Sequence, residues 1–173
     1  LLGNGSDELI QIMVNACARK AAVILAPSPS FVMYGMYARI AGIDFVGVSL
    51  EADFSLNADR VLSAIRDLKP ALIFVAYPNN PTGNLVPDDV MTAILNEAPG
   101  LVVVDEAYQP FAGKSWMGRL PEFANLVVLR TLSKLGLAGI RLGYAVARPE
   151  WIREFNKVRS PYNVNTLTQL VAE

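Results

Sequence analysis

The sequence predicts an α/β fold: a mainly parallel sheet with helices on both faces. Two observations carry this expectation. Residues 71–76, 101–104 and 126–129 are apolar at every position, as befits parallel strands covered on both sides rather than half-exposed strands that alternate. Segments with apolar residues at helical spacing lie between such runs, so strands alternate with helices along the chain. With 173 residues, 53% apolar and 18% charged, the chain is long and apolar enough for one sizeable core.

Residues 1–2 read as the tail of a strand. Gly3-Asn4-Gly5-Ser6-Asp7-Glu8 then forms a turn into a helix carrying Leu9, Ile10, Met13, Val14, Ala16 and Cys17. Acidic residues in the first turn complement the helix dipole, and the free N–H groups there make an anion site. A plain cap by Ser6 or Asp7 accounts for the pattern equally well. Residues 22–25 are a short buried strand. Pro27-Ser28-Pro29-Ser30-Phe31 leads into a helix over 32–41, stopped by Gly42, a residue suited to helix ends. Residues 43–48 alternate as a strand. Asn57 caps a helix with Val61, Leu62, Ile65 and Leu68 inward. The strand at 71–76 delivers Tyr77-Pro78-Asn79-Asn80-Pro81-Thr82-Gly83, a rigid turn at a carboxyl end, where open α/β sheets bind ligands.

A helix from Pro87 to about Glu97 turns Val90, Ile94 and Leu95 inward. The strand at 101–104 ends in Asp105-Glu106-Ala107-Tyr108, and residues 109–125 form a polar connection. The strand at 126–129 is followed by Arg130, Thr131, Ser133 and Lys134, then by a glycine-bearing loop to Arg141. Residues 141–147 are a further strand. Pro149 opens a helix through Trp151, Ile152, Phe155 and Val158. A last amphipathic pattern over 166–173 stops after about two turns, short for a helix without packing. Both ends therefore read as cut from a longer chain.

Composition removes several chemistries. The chain has no histidine and a single cysteine, Cys17, so Ser-His-Asp and Cys-His catalysis, thiolate zinc sites and iron–sulfur clusters are all excluded. No metal is expected. Cys17 shares a helix face with Ile10 and Met13 and reads as core; a lone thiol suits a reducing compartment. The formal charge of -1 supplies no electrostatic footprint for nucleic acid or anionic lipid. No apolar run reaches the roughly 18 residues of a membrane span.

The remaining chemistry belongs to Lys, Tyr, Asp, Asn and Arg. Lys134, just past a buried strand end, is expected to lose hydration and become available as an amine nucleophile, the kind that attacks carbonyl groups. A carboxylate such as Asp105 at the mouth of an apolar strand is costly unless paired. Thr131, Ser133 and Arg141 are suited to holding a phosphate.

Taken together, GSDE, PSPSF, PNNPTG, DEAY and RTLSK with GIRLGY resemble, in order, the motifs of fold-type I pyridoxal phosphate (PLP) enzymes, the aspartate aminotransferase superfamily, and most closely its histidinol-phosphate aminotransferase branch. The stretch between Lys134 and Arg141 is one residue shorter than in many members, a loop-length variant. The resemblance implies a three-layer α/β/α large domain, incomplete here and without the small domain, whose sheet has one antiparallel strand, at 144–147. It implies PLP linked to Lys134. Its phosphate would be held at Ser6, Asp7, Thr131, Ser133 and Arg141, with Phe31 stacked on the ring in place of the family's tyrosine. Asp105 would meet the ring nitrogen, and Asn80 and Tyr108 the phenolic oxygen. Tyr34 and Tyr37 are secondary candidates to face the site. The branch implies histidinol phosphate as donor, 2-oxoglutarate as acceptor, histidine biosynthesis, a cytoplasmic location and a homodimer. A threonine-phosphate decarboxylase, an aromatic aminotransferase and a non-catalytic PLP-binding regulatory domain are related readings. The excerpt alone is expected to lack competence as an aminotransferase.

Overall fold

The computed structural model describes residues 1–172. In chain order the main elements are β1 (Leu2–Asn4), α1 (Ser6–Ala16), β2 (Val23–Ser28), α2 (Met33–Ile40), β3 (Asp44–Ser49), α3 (Ala58–Leu68), β4 (Leu72–Ala76) and α4 (Asp88–Glu97). They continue with β5 (Leu101–Asp105), β6 (Leu126–Thr131), β7 (Leu142–Val146), α5 (Pro149–Val158) and α6 (Thr166–Ala172). Seven strands form one sheet in the order β1-β7-β6-β5-β4-β2-β3. The pairs β2–β3, β2–β4, β4–β5 and β5–β6 are parallel. Only β7 runs the other way, antiparallel to both β6 and β1. This is the antiparallel strand expected near the end of the chain, starting at Leu142 rather than 144.

Alternation along the central strands builds two cores. In β5, Leu101 and Val103 face the layer of α1, α2 and α5, where they meet Leu9, Ile10, Met13, Tyr34 and Phe155. Val102 and Val104 face α3 and α4, with Val61, Ile65, Met91, Ile94 and Leu95. Strands covered on both sides must be apolar at every position, which is why their sequences show no alternation. The helix ends follow the same economy of backbone groups. Asn57 caps α3 by accepting the Arg60 N–H at 3.0 Å, and Lys69 closes it in a left-handed conformation at φ 46°.

The structure differs from expectation at several boundaries. Gly3 and Asn4 belong to β1, not to a turn, because they pair with Gly143 and Leu142. β2 runs on to Ser28 through Pro27. Beyond Leu25 its register is with β3 alone, and a strand lacking one neighbour accommodates a residue without an N–H. The connection 109–125 contains 3₁₀ turns at Gln109–Phe111 and Met117–Arg119. It also adds Trp116, 2% exposed, to the core, with the Arg119 guanidinium 4.6 Å above its ring. Cys17 closes α1 and packs against the first core; burial pushes its thiol up to about 11. In α6, Leu167, Leu170 and Val171 are exposed. Glu173, the last residue of the expected helix, lies outside the described residues. No helix among the described residues is long and apolar enough to cross a membrane.

Phe155 is the one side chain of α5 that is fully buried. Phe155→Ala should cost about 3–5 kcal/mol in urea unfolding, as large-to-small core substitutions do. A loss below about 1 kcal/mol would show that α5 does not dock as described.

Candidate active site

The carboxyl ends of β1, β2, β4, β5 and β6 lie along one edge of the sheet, and β7, running backwards, starts there. A pocket opens at this edge. It is lined by Ser6, Asp7, Phe31, Tyr34, Ala76, Pro78, Asn80, Asp105, Ala107, Tyr108, Thr131, Ser133, Lys134 and Arg141. All ten residues singled out as cofactor contacts in the sequence are in that lining. Tyr34 joins them, whereas Tyr37 does not.

An anion cradle forms one wall. No side chain caps α1, whose N-cap is Gly5, so the first amides of the helix have no side-chain acceptor of their own. Arg141 lies against this terminus, its Nη2 3.8 Å from Asp7 Oδ2 and its Nη1 3.5 Å from Ser133 Oγ. Gly5 adopts φ +80°, and a Cβ there would stand 2.4 Å from Arg141 Nη2. Gly143 is required for a related reason: its Cβ would meet Gly5 C and Ser6 N at 2.6 Å. The two glycines let β7 and the helix terminus approach until Arg141 and the amides face the same space. Thr131 and Ser133 add hydroxyls, 3.1 Å apart.

Asp105 is the floor, 5% exposed. Its Oδ2 accepts the Tyr34 hydroxyl at 2.7 Å, and Oδ1 accepts the Ala107 N–H at 3.0 Å. Burial pushes the carboxyl up to about 6; the bonds from Tyr34 and Ala107 pull the other way, and the charges of Asp7 and Glu106 add to the rise. Two donors leave lone pairs of the carboxylate free toward the pocket, since an ionised carboxyl has about four acceptor sites. Tyr34 is itself fully buried. Its ring is stacked on Phe74 with centroids 4.4 Å apart and meets Phe31 edge-on at 5.6 Å.

Lys134 requires a correction. Placed just past a strand, it was expected to lose its hydration. It sits instead on a 3₁₀ turn, Ser133–Leu135, and is exposed, because the turn carries it beyond the apolar strand end. Its Nζ lies 5.0 Å from the centroid of the Tyr108 ring, a cation–π contact.

Two supporting residues, Asn79 and Glu106, escaped the motif reading, and a third, Tyr34, was only a secondary candidate. Tyr34 lies on α2, three residues after Phe31, which precedes the helix. Asn79, beside Asn80, is buried. It donates to Pro29 O at 3.0 Å and to Thr82 Oγ1 at 2.7 Å, and accepts from Ser30 Oγ at 2.8 Å. It thereby ties the loop bearing Phe31 to the loop bearing Asn80. Glu106 points to the opposite face from Asp105. There it accepts Arg130 Nε at 2.9 Å, Ser115 Oγ at 2.9 Å and the Trp116 N–H, pinning the segment after Tyr108. Nothing in the sequence separated Glu106 from its neighbour except strand parity.

Fold and pocket together define a three-layer α/β/α domain that presents a lysine, a buried carboxylate and an aromatic wall beside an anion cradle. The chain matches the aminotransferase class I and II family over residues 1–173 and belongs to that family. Histidinol-phosphate aminotransferase 2 of Burkholderia pseudomallei (strain 1710b) is 59% identical over 174 residues, covering 100% of this chain and 49% of the relative. The histidinol-phosphate aminotransferase of Chromobacterium violaceum is 60% identical over 168 residues, covering 97% and 47%. The chain thus spans about half the length of the curated relatives it matches. Among solved structures, the histidinol-phosphate aminotransferase of Clostridium acetobutylicum superposes with a TM-score of 0.89 at 26% identity, covering 99% of this chain and 52% of that one. The Sinorhizobium meliloti enzyme in complex with pyridoxal-5'-phosphate gives 0.86 at 26%, covering 96% and 47%. The fold is the one the resemblance implied.

The raised Asp105 carboxyl makes a stability prediction. A carboxyl higher in the folded than in the unfolded state favours folding below the unfolded value, and that contribution is lost as pH rises through the folded one. Between about 3.8 and about 6 the loss is about 3 kcal/mol. In ligand-free protein, Asp105→Asn should flatten the fall in stability between pH 4 and 7 by up to that amount in urea titrations. Parallel pH profiles for the two proteins would refute the raised value.

Proposed function

We propose that this chain is the cofactor-binding domain of a PLP-dependent aminotransferase that moves an amino group from histidinol phosphate to 2-oxoglutarate in histidine biosynthesis. The observation that carries the reading is that Lys134, Asp105, Asn80 and Tyr108, from three strand ends, line one pocket beside an anion cradle. Relatives named histidinol-phosphate aminotransferase, 59% and 60% identical across nearly the whole chain, support the choice of donor. The reading extends to a cytoplasmic homodimer acting on small molecules, with neither nucleic acid nor membrane as partner.

The residues present fit PLP. The uncapped α1 terminus and Arg141 complement a phosphate, Phe31 offers a ring face, and Asp105 keeps acceptor capacity toward the pocket. In this reading Ser6 and Asp7 amides, Thr131, Ser133 and Arg141 hold the phosphate, so the reactive end keeps one orientation. Phe31 stacks on the pyridine, which needs no hydroxyl. Asp105 would accept the ring N–H and favour the protonated nitrogen. Asn80 and Tyr108 bond the phenolic oxygen. PLP, when bound, supplies an electron sink for the pair left on the substrate's α-carbon. Lys134 Nζ would anchor the cofactor and, as a free amine, would take the proton from the substrate's α-carbon as general base.

The test uses the full-length protein with PLP. Borohydride reduction and peptide mapping should label Lys134, and neither Lys114 nor Lys157. Lys134→Ala should lose the label, and transamination of 2-oxoglutarate by histidinol phosphate should fall by on the order of a thousandfold. Label on another lysine would overturn the site. Full activity with another amino donor and none with histidinol phosphate would overturn the substrate.

A further inference from the structure

We infer that Tyr34 is a positioning residue for Asp105, its hydroxyl holding the carboxylate in one orientation and as an acceptor toward the pocket. The inference rests on the PLP reading for its effect on turnover, while the Tyr34–Asp105 coupling is measurable without cofactor.

The buried face of α2 consists of Tyr34 and Ala38, and a phenylalanine would fill the same space as the tyrosine ring. The hydroxyl therefore needs its own explanation. Its partner is Asp105 Oδ2, at 2.7 Å between two buried groups. The ring cannot swing away, because Phe74 of β4 stacks on it with planes 3° apart and Phe31 abuts it at 83°. Three elements thus aim one donor at one oxygen. The Ala107 amide holds the other oxygen, which leaves the carboxylate no freedom to rotate out of line with a ligand. A neutral donor also matters. An arginine or lysine here would neutralise the charge that a protonated ring nitrogen needs, whereas a phenol stabilises the carboxylate and leaves its charge unspent. Burial and Asp105 itself hold the Tyr34 phenol well above its ordinary value, so it stays a donor. The other groups that bear on the carboxylate are Asp7 from α1 and adjacent Glu106, both opposing its ionisation. Lys134, Arg141 and Tyr108 line the same pocket.

Tyr34→Phe keeps both ring contacts and removes only the hydroxyl. In ligand-free full-length protein with ¹³C-labelled aspartate, the Asp105 carboxyl is assigned by its loss in Asp105→Asn. Its titration midpoint should rise by about one pH unit or more in Tyr34→Phe, the scale of a hydrogen bond to a charged group. With PLP and substrates, kcat should fall about tenfold with KM within about twofold, the pattern of an interaction made only in the transition state. In an Asp105→Asn background the same change should cost less than about twofold, because coupled residues are not additive. Were Tyr34→Phe not to fold, biosynthetic replacement by 3,5-difluorotyrosine, a stronger donor, should move the midpoint down. An unmoved Asp105 titration in the altered protein would overturn the inference and leave Tyr34 as core packing. A shifted titration in a protein that binds no PLP at Lys134 would support the coupling and overturn the functional reading instead.

Discussion

A carboxylate kept under the floor of the pocket is the constraint on which the surrounding structure depends. Ionised Asp105 is expensive to bury, and the fold offsets that cost with neutral donors from two directions, the Tyr34 hydroxyl and the Ala107 amide. Supplying them requires α2 to dock on Phe74 and the chain to turn sharply after β5. The next residue faces the same problem and solves it differently. Glu106, on the opposite side of the strand, is closed off by Arg130 at 2.8 Å. One acid is neutralised and becomes a pin for the 107–116 segment. Its neighbour is stabilised without being neutralised, and so keeps a negative charge to offer a ligand.

The cationic side of the pocket follows from the direction of β7. Parallel strands bring their carboxyl ends to the ligand edge, so a residue that begins a strand would ordinarily stand at the far edge. β7 is reversed, and Arg141, immediately before it, lands beside the α1 terminus although it lies just beyond the turns that follow Lys134. Gly5 and Gly143 permit the approach. Arg141 itself sits at φ 55°, a left-handed conformation for a residue with a side chain, of the kind that the surroundings must impose.

The layers, the parallel strands and the lining of the pocket were readable because each leaves a local trace: unbroken apolar runs, helical spacing, and motifs at strand ends. What was not readable depends on contacts distant in sequence. β1 extends through Gly3 and Asn4 because β7 pairs with them. Trp116 is core because the sheet's second face receives it, although Lys114 and Ser115 before it are polar. The exposure of Lys134 could not be inferred from strand position alone, since a single 3₁₀ turn decides which side of the rim a side chain occupies. Tyr34 and Asn79 act through partners 71 and 49–50 residues away, and no periodicity records such distances.

The pairing of β1 with β7 alone has a consequence for how the protein is made. Among the described residues the first strand pairs with the seventh alone; Leu2 meets Tyr144 and Gly3 meets Gly143. A ribosome adding roughly 5–20 residues per second keeps Leu2–Asn4 waiting on the order of ten seconds for its partner. During that interval β1 is an unpaired edge, and α1 lacks the β7 contact that fixes its amino end. Edges of this kind recruit foreign strands. Brevity guards against it: three residues, one a glycine and one an asparagine, make a poor template. The corner where Arg141 meets the α1 terminus thus forms only after β7 has been made, about 140 residues after β1.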